Sequence, residues 1–270
     1  MRLFQICFLG ILALNMTSQA VVAAAGKQEI RGKELEREIL IKNEAAQKVL
    51  DAYKKLDTYQ AVWEIKLPQD AEQGKSIEIK VLFDRKTGNT ACQMVSIDSG
   101  DANDTKKLNL LVIKNNNKLS VFGVGGSGFS PKPVIIDDMF CGPEITYRDI
   151  RRAITLFYPA DLAMLMSDVP LHEILQGIPE TCSIEISDTN NITLKLLSGF
   201  ETDALMKIDP NTNLINEYCF LKKATGEKQQ PILKLVSVKI NEPIDAGLFD
   251  FDKYLEKYGI KKETKEPVKQ

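Results

Sequence analysis

Residues 61–67 read Ala-Val-Trp-Glu-Ile-Lys-Leu, and residues 76–83 read Ser-Ile-Glu-Ile-Lys-Val-Leu-Phe. In both stretches apolar side chains recur at every second position, and most of the residues between them are charged or polar. This period of two is typical of a β-strand with one face buried and the other in water. The pattern predicts two strands of an antiparallel sheet, whose apolar face carries Trp63, Ile65, Ile79, Val81 and Phe83.

Turn-forming residues divide the rest of the chain into further strands. The run from Arg85 to Asn89 predicts a hairpin, and Asn115-Asn116-Asn117 predicts another. After Pro179 the alternation resumes and continues to Ile240, with a turn at residues 209–213. Neither half has enough strands to close a core alone, so we expect one long sheet, which must curl.

Helical periodicity occurs in two places. From Lys33 to Leu56 apolar residues recur every three or four positions without Pro or Gly, which predicts one amphipathic helix. Residues 145–176 have the same spacing, begin with a capping-box pattern at Thr146 and Asp149, and interrupt the strands. The predicted fold class is therefore α+β: a single curved antiparallel sheet, or half-open β-barrel, with an N-terminal helix and a helical insert covering the concave face.

The ends of the chain differ in composition from its centre. Residues 1–25 contain a basic Arg2, an apolar run and the small residues Ala23 to Ala25, an order typical of a secretory signal peptide. Cleavage is expected after Ala25, with Ala20 as the other option, so that the chain is exported to the periplasm without a transmembrane segment. Residues 26–252 are expected to form one domain, and residues 253–270 a charged, mobile tail.

Composition narrows the class of function. The 270 residues are 44% hydrophobic and carry a net charge of −2, so a large core is expected and no basic excess attracts nucleic acid. Export would remove Cys7 and leave Cys92, Cys141, Cys182 and Cys219. These four either form at least one disulfide, whose pairing the sequence leaves open, or are buried thiols.

Several motifs suggest chemistry, but a structural interpretation explains each of them better. The glycine-rich run from Gly123 to Gly128 is followed by prolines instead of a helix, which indicates a flexible loop and not a nucleotide site. The acidic residues between Asp98 and Asp104 lack the pattern of a calcium loop. His172 is the single histidine, and no G-x-S-x-G elbow is present. We therefore expect no enzyme activity, metal or cofactor.

The closing segment, residues 236–251, reads Val-Ser-Val-Lys-Ile-Asn-Glu-Pro-Ile-Asp-Ala-Gly-Leu-Phe-Asp-Phe. This segment, the helix, turn and strand from Ala45 to Trp63, and the Asp-Pro hairpin at residues 208–214 resemble the LolA-type family of periplasmic outer-membrane lipoprotein carriers and their relatives. The second hairpin lacks the Arg-Pro pair frequent in that family. The resemblance implies a half-open barrel with an apolar cavity.

The resulting functional expectation is a non-enzymatic periplasmic carrier or binder of lipid or lipoprotein acyl chains. The sheet would line its cavity with the five residues of the apolar face, and the insert with three more: Leu162, Leu165 and Met166. An envelope sensing or protein-binding module of the same fold, with a protein partner, is the alternative. A secreted enzyme is the second alternative.

Overall fold

The computed structural model describes residues 33–34, 36–38, 40–41, 43–65, 75–98, 105–124, 133–139, 144–153, 160–174, 183–186, 193–197 and 201–262. The predicted signal peptide, most of the glycine-rich loop, the acidic loop, Cys141 and Cys182 lie outside these residues. No helix among the described residues is long and apolar enough to cross a membrane.

The strands form one eleven-stranded antiparallel sheet in the order β6-β5-β4-β3-β2-β1-β11-β10-β9-β8-β7. Their bounds are β1 Thr58–Ile65, β2 Lys75–Asp84, β3 Asn89–Asp98, β4 Thr105–Asn115, β5 Lys118–Val124, β6 Pro133–Ile136, β7 Ser183–Ile186, β8 Thr193–Leu197, β9 Thr202–Ile208, β10 Ile215–Lys222 and β11 Lys228–Ile240. Strands from before and after the insert share this sheet, as predicted, because β1 pairs with both β2 and β11. The predicted single-sheet fold class is confirmed.

The helices are α1 Glu44–Lys54, α2 Tyr147–Ala153, α3 Ala160–Met166, α4 Pro170–Ile174 and, after a 3-10 turn at Ala246–Phe249, α5 Phe251–Lys257. The first four pack with one face of the sheet in a large apolar cluster that includes Tyr53, Trp63, Leu162 and Met206. We call this face concave and the opposite face convex. The insert therefore lies on the face where the sequence predicted it.

The predicted continuous helix from Lys33 to Leu56 is wrong in one respect. The described residues between 33 and 41 are helical, but the backbone becomes extended at Asn43, with φ −141° and ψ 91°. The Asn43 side chain accepts a hydrogen bond from the Ala46 N–H at 3.1 Å and thereby caps α1. A side chain that competes for backbone donors favours a cap over a helix interior.

The convex face of β2–β5 is also buried, which the sequence analysis did not predict. Leu82, Leu111, Ile113 and Phe122 form a second apolar cluster on this side. The chain after Pro243 covers them with the side chains of Phe249, Phe251, Tyr254 and Leu255.

Residues 253–262, which the sequence analysis assigned to the tail, contribute to this packing. Tyr254 and Leu255 are buried on α5, and the Asp250 carboxylate caps that helix by accepting from the Asp252 and Lys253 N–H groups. Alternating charged residues in this segment form the solvent-facing side of a short helix, whose other side is apolar.

Candidate ligand site on the concave face

The eight predicted ligand residues all belong to the concave cluster. Seven are buried: Trp63, Ile65, Ile79, Val81, Phe83, Leu162 and Leu165. Met166 is half-buried and packs against the same cluster. The structure thus brings the sheet set and the insert set together, with their side chains packed against each other. Their role as ligand contacts stays a prediction.

The central polar feature of this site is Asp161, which sequence analysis missed. Asp161 lies in the first turn of α3 and is completely buried. Its Oδ2 accepts a hydrogen bond of 2.9 Å from the indole Nε1 of Trp63 on β1, and its Oδ1 accepts from the Leu162 N–H. One carboxylate therefore joins the insert to the centre of the sheet.

Burial controls the electrostatics around Asp161. Desolvation raises the pKa of its carboxyl to about 6, against the lowering effect of its hydrogen-bond donors. The pKa values of Tyr53 and Tyr59 are also raised well above normal, first by desolvation and then by the charge of Asp161. Two phenols, an indole and a carboxyl thus form a polar cluster inside an apolar core.

A second contact joins the same helix to the sheet. The Thr90 hydroxyl on β3 donates to the Met166 sulfur at 3.6 Å, at the end of α3 opposite Asp161. Such a bond to a thioether is weak, because sulfur is a poor acceptor. The contact between α3 and the sheet is otherwise made by apolar side chains of the concave cluster.

The N-terminal helical segment is attached to the insert by another buried carboxylate. Glu36 accepts backbone hydrogen bonds from Leu171 at 3.4 Å and His172 at 3.3 Å, both on α4. Desolvation raises the pKa of Glu36 to about 7, partly offset by these two donors. An open cleft of ≈ 510 Å³ lies beside this contact, lined by residues of the N-terminal segment, α1 and the loop before α4.

The helices of the insert are also linked to one another. The Arg148 guanidinium on α2 donates to Glu173 Oε1 at 2.8 Å, and Arg151 donates to the Glu173 carbonyl oxygen at 3.0 Å. Glu173 is buried on α4. These contacts hold α2 and α4 together, so the insert forms one layer over the sheet.

The single histidine and the acidic residue Asp137 lie on opposite sides of the sheet. His172 is buried on α4, where burial lowers its pKa, and Asp137 accepts hydrogen bonds from Ser120 and Lys262 on the other side of the sheet. Within the described residues Cys92 and Cys219 are free, buried thiols, and desolvation raises the pKa of both. The predicted disulfide therefore does not involve these two cysteines.

No protein-family model matches the chain, and no curated protein sequence matches it. Among solved structures, it is similar to the MucA/MucB complex of Pseudomonas aeruginosa, with TM-score 0.41 and 8% identity, over 76% of this chain and 59% of that chain. The chain thus spans about three fifths of the length of that match.

Two further solved structures are similar. A putative outer membrane lipoprotein-sorting protein domain from Vibrio parahaemolyticus has TM-score 0.34 and 10% identity, over 81% of this chain and 98% of that chain. An uncharacterized conserved protein from Thermus thermophilus has TM-score 0.39 and 13% identity, over 75% of this chain and 91% of that chain. These likenesses concern the course of the chain alone.

Proposed function

We propose that this protein is a non-enzymatic carrier or binder of lipid or lipoprotein acyl chains, which enter between the concave face of the sheet and the helical insert. The observation that carries the proposal is the contact between α3 and the sheet. Among the described residues this contact is mainly apolar, and its polar part consists of the Trp63–Asp161 and Thr90–Met166 hydrogen bonds and the Tyr59 hydroxyl beside Asp161. A chain that separates the two layers breaks few polar contacts and finds apolar side chains on both sides.

The energy of such binding follows from the ligand. Burial of one methylene group contributes about 0.8 kcal/mol, so an acyl chain of ordinary length offers a gross gain on the order of 10 kcal/mol. The layers in this structure are closed over each other, so part of that gain is spent on separating them. The carrier therefore binds in an open conformation, and release needs only closure of the insert.

The proposal is tested by a buried charge on the insert. Leu165→Glu places a carboxylate between the two layers, and Leu255→Glu places one at an equally buried leucine on the convex side. Both changes are costly to stability, because a buried charge lacks solvation. Only Leu165→Glu is expected to abolish binding of a fluorescent hexadecanoyl lipopeptide, with circular dichroism confirming that both variants fold. Equal binding by the two folded variants, or none by the parent protein, would contradict the proposal.

A second candidate function is the binding of a protein partner in the envelope. It is favoured by the filled interior, in which Trp63, Ile65, Ile79 and Val81 have no exposed surface. Native mass spectrometry of the purified protein distinguishes the two: co-purified lipid supports the carrier, and its absence together with a bound polypeptide supports the partner-binding module.

Both functions require export, which we propose on the basis of the charge and hydropathy pattern of residues 1–25. N-terminal sequencing of the periplasmic protein is expected to begin at Gly26. Recovery of an intact, membrane-embedded chain that begins at Met1 would contradict this assignment.

A further inference from the structure

Strand β11 has a free edge in the middle of the sheet. Residues 233–240 pair with β1 on one side, whereas the pairing with β10 ends where Glu217 lies opposite Lys234. Beyond that point, within the described part of the chain, residues 235–240 pair with a strand on the β1 side only.

The direction of the unpaired peptide groups follows from one hydrogen bond. The Asn241 N–H donates to the Thr58 carbonyl on β1 at 3.0 Å. In an antiparallel ladder, alternate residues direct their N–H and C=O groups to the same side. Asn241 and Lys239 therefore direct their peptide groups toward β1. Val238 and Ile240 direct theirs away from β1, toward the unpaired side of β11.

A specific side chain keeps β10 away from this edge. The backbone N–H of Ile215, at the start of β10, donates to the Tyr53 hydroxyl of α1 at 3.1 Å instead of to β11. The pairing register of β10 also shifts between Ile215 and Glu217, and that of β11 shifts opposite Val62 and Trp63. Irregularities of this kind bend strands, which separates the start of β10 from the end of β11. On the β10 side, the Ile215 N–H is satisfied by the Tyr53 hydroxyl.

The side chains along the free edge define what would fit there. Val236 is 62% exposed and Ile240 is 37% exposed, which is unusual for apolar residues in a central strand. Lys239 is exposed, lies opposite Gln60 of β1 on the convex face, and pairs with the exposed Glu242 at 3.6 Å. Val238 and Ile240 lie opposite Ala61 and Tyr59, on the concave face.

We propose that the edge of β11 from Val236 to Ile240 is a strand-addition site for an extended segment of a partner protein. The partner strand carries apolar side chains on the face beside Val238 and Ile240, and acidic ones on the face beside Lys239. Backbone hydrogen bonds supply affinity and the alternating side chains supply selectivity, as in other additions to a sheet edge. This site deepens the second candidate function and does not depend on acyl-chain binding.

Amide hydrogen exchange measured by NMR tests the free edge first. In the protein alone, the Val238 and Ile240 amides are expected to exchange at least about tenfold faster than those of Lys239 and Asn241, which face β1. Equal protection of all four amides would show that the edge is already paired, and would overturn the proposal.

Binding is then tested with the blocked peptide Thr-Val-Glu-Val-Glu-Val-Thr. At about millimolar peptide, the Val238 and Ile240 amides are expected to become protected, whereas the version with lysine in place of glutamate gives weaker protection. Ile240→Pro removes one donor from the edge and is expected to abolish this protection, while Ile240→Ala, which loses the same side chain, retains it. Protection of Asn241 confirms that the ladder with β1 is intact in both variants.

Absence of any protection by the glutamate peptide, equal effects of the two peptides, or full binding by Ile240→Pro would each overturn the proposal. Binding of the hexadecanoyl lipopeptide is expected to be unchanged in Ile240→Pro, because this edge lies outside the contact between α3 and the sheet. Failure of strand addition and failure of acyl-chain binding are therefore distinguishable.

Discussion

Replacement of Asp161 by Asn is expected to change the pH dependence of stability in a defined way. The folded protein holds this carboxyl with a pKa of about 6, against 3.8 for an exposed aspartate. Because the pKa is raised by folding, the folded state binds the proton more tightly than the unfolded chain. The parent protein therefore loses stability as pH rises from about 4 to about 6, and the loss is complete above the folded pKa.

The size of the effect follows from these two values. Ionisation of Asp161 lowers the free energy of unfolding by about 3 kcal/mol at pH 7.5 and by about 1 kcal/mol at pH 4.5. Asparagine retains an oxygen that accepts from the Trp63 indole and does not ionise. The free energy of unfolding of Asp161→Asn, relative to the parent, is thus expected to increase by about 2 kcal/mol between pH 4.5 and pH 7.5.

Urea unfolding followed by circular dichroism at the two pH values measures this difference. With a slope of roughly 3 kcal/mol per molar urea, the midpoint difference between variant and parent moves by about 0.7 M. Asp168→Asn, at an exposed carboxylate of the same insert, measures the general effect of removing one negative charge. If the unfolding free energies of Asp161→Asn and the parent changed with pH in the same way, the argument would be refuted. Such a result would mean that the Asp161 carboxyl is not buried between the insert and the sheet.

Further predictions concern the other contacts that hold the layers in place. Glu36, whose pKa is about 7, makes the parent more stable as pH falls from 8 to 5, and the same urea titration of Glu36→Gln is expected to lack this gain. Leu255→Ala is expected to cost about 2–4 kcal/mol of unfolding free energy in urea at pH 7, whereas the exposed Lys253→Ala costs less than about 0.5 kcal/mol. Glu173→Gln removes the negative charge beside Arg148 and Arg151 and is expected to lower thermal stability, with a cost on the order of 3 kcal/mol that persists at high salt. Recovery of the loss in salt would count against a buried pair.

The sheet was predictable because its signals are local. The turn at Arg85–Asn89 and the Asp209–Asn213 hairpin are visible as turn residues between alternating segments, and both connect the strands expected. Asn213 adopts φ 56°, a conformation that asparagine tolerates better than most residues. The capping box predicted at Thr146 and Asp149 is also present: the Thr146 N–H donates to the Asp149 carboxylate at 2.9 Å.

The buried convex face was missed although the sequence contains a signal for it. Residues 110–113 read Leu-Leu-Val-Ile, a continuous apolar run that indicates burial on both faces of a strand. The covering segment has Phe251, Tyr254, Leu255 and Tyr258 at helical spacing, but the charged residues between them suggested a mobile tail. Amphipathic periodicity over seven residues is too short to stand out from composition.

The polar centre of the ligand site could not be predicted, because it depends on distant pairing. Asp161 appeared as an ordinary acidic residue in the first turn of a helix, where such residues are common. Its partner Trp63 is 98 positions away in the chain. The eight apolar residues could be assigned to facing layers from their periodicity, whereas a contact across the layers depends on how the insert lies on the sheet.

The seam between β1 and β11 has a consequence for how the molecule folds. Most neighbouring strands of the sheet follow one another in the chain, but Tyr59 and Ile240 face each other across roughly 180 residues. Pairing them closes a long loop, so chain entropy is lost before stabilising contacts form between the two strands. The two meanders can each begin to form from local contacts, so we expect pairing of β1 with β11 to set the folding rate. Substitutions along this seam are then expected to slow refolding more than they accelerate unfolding.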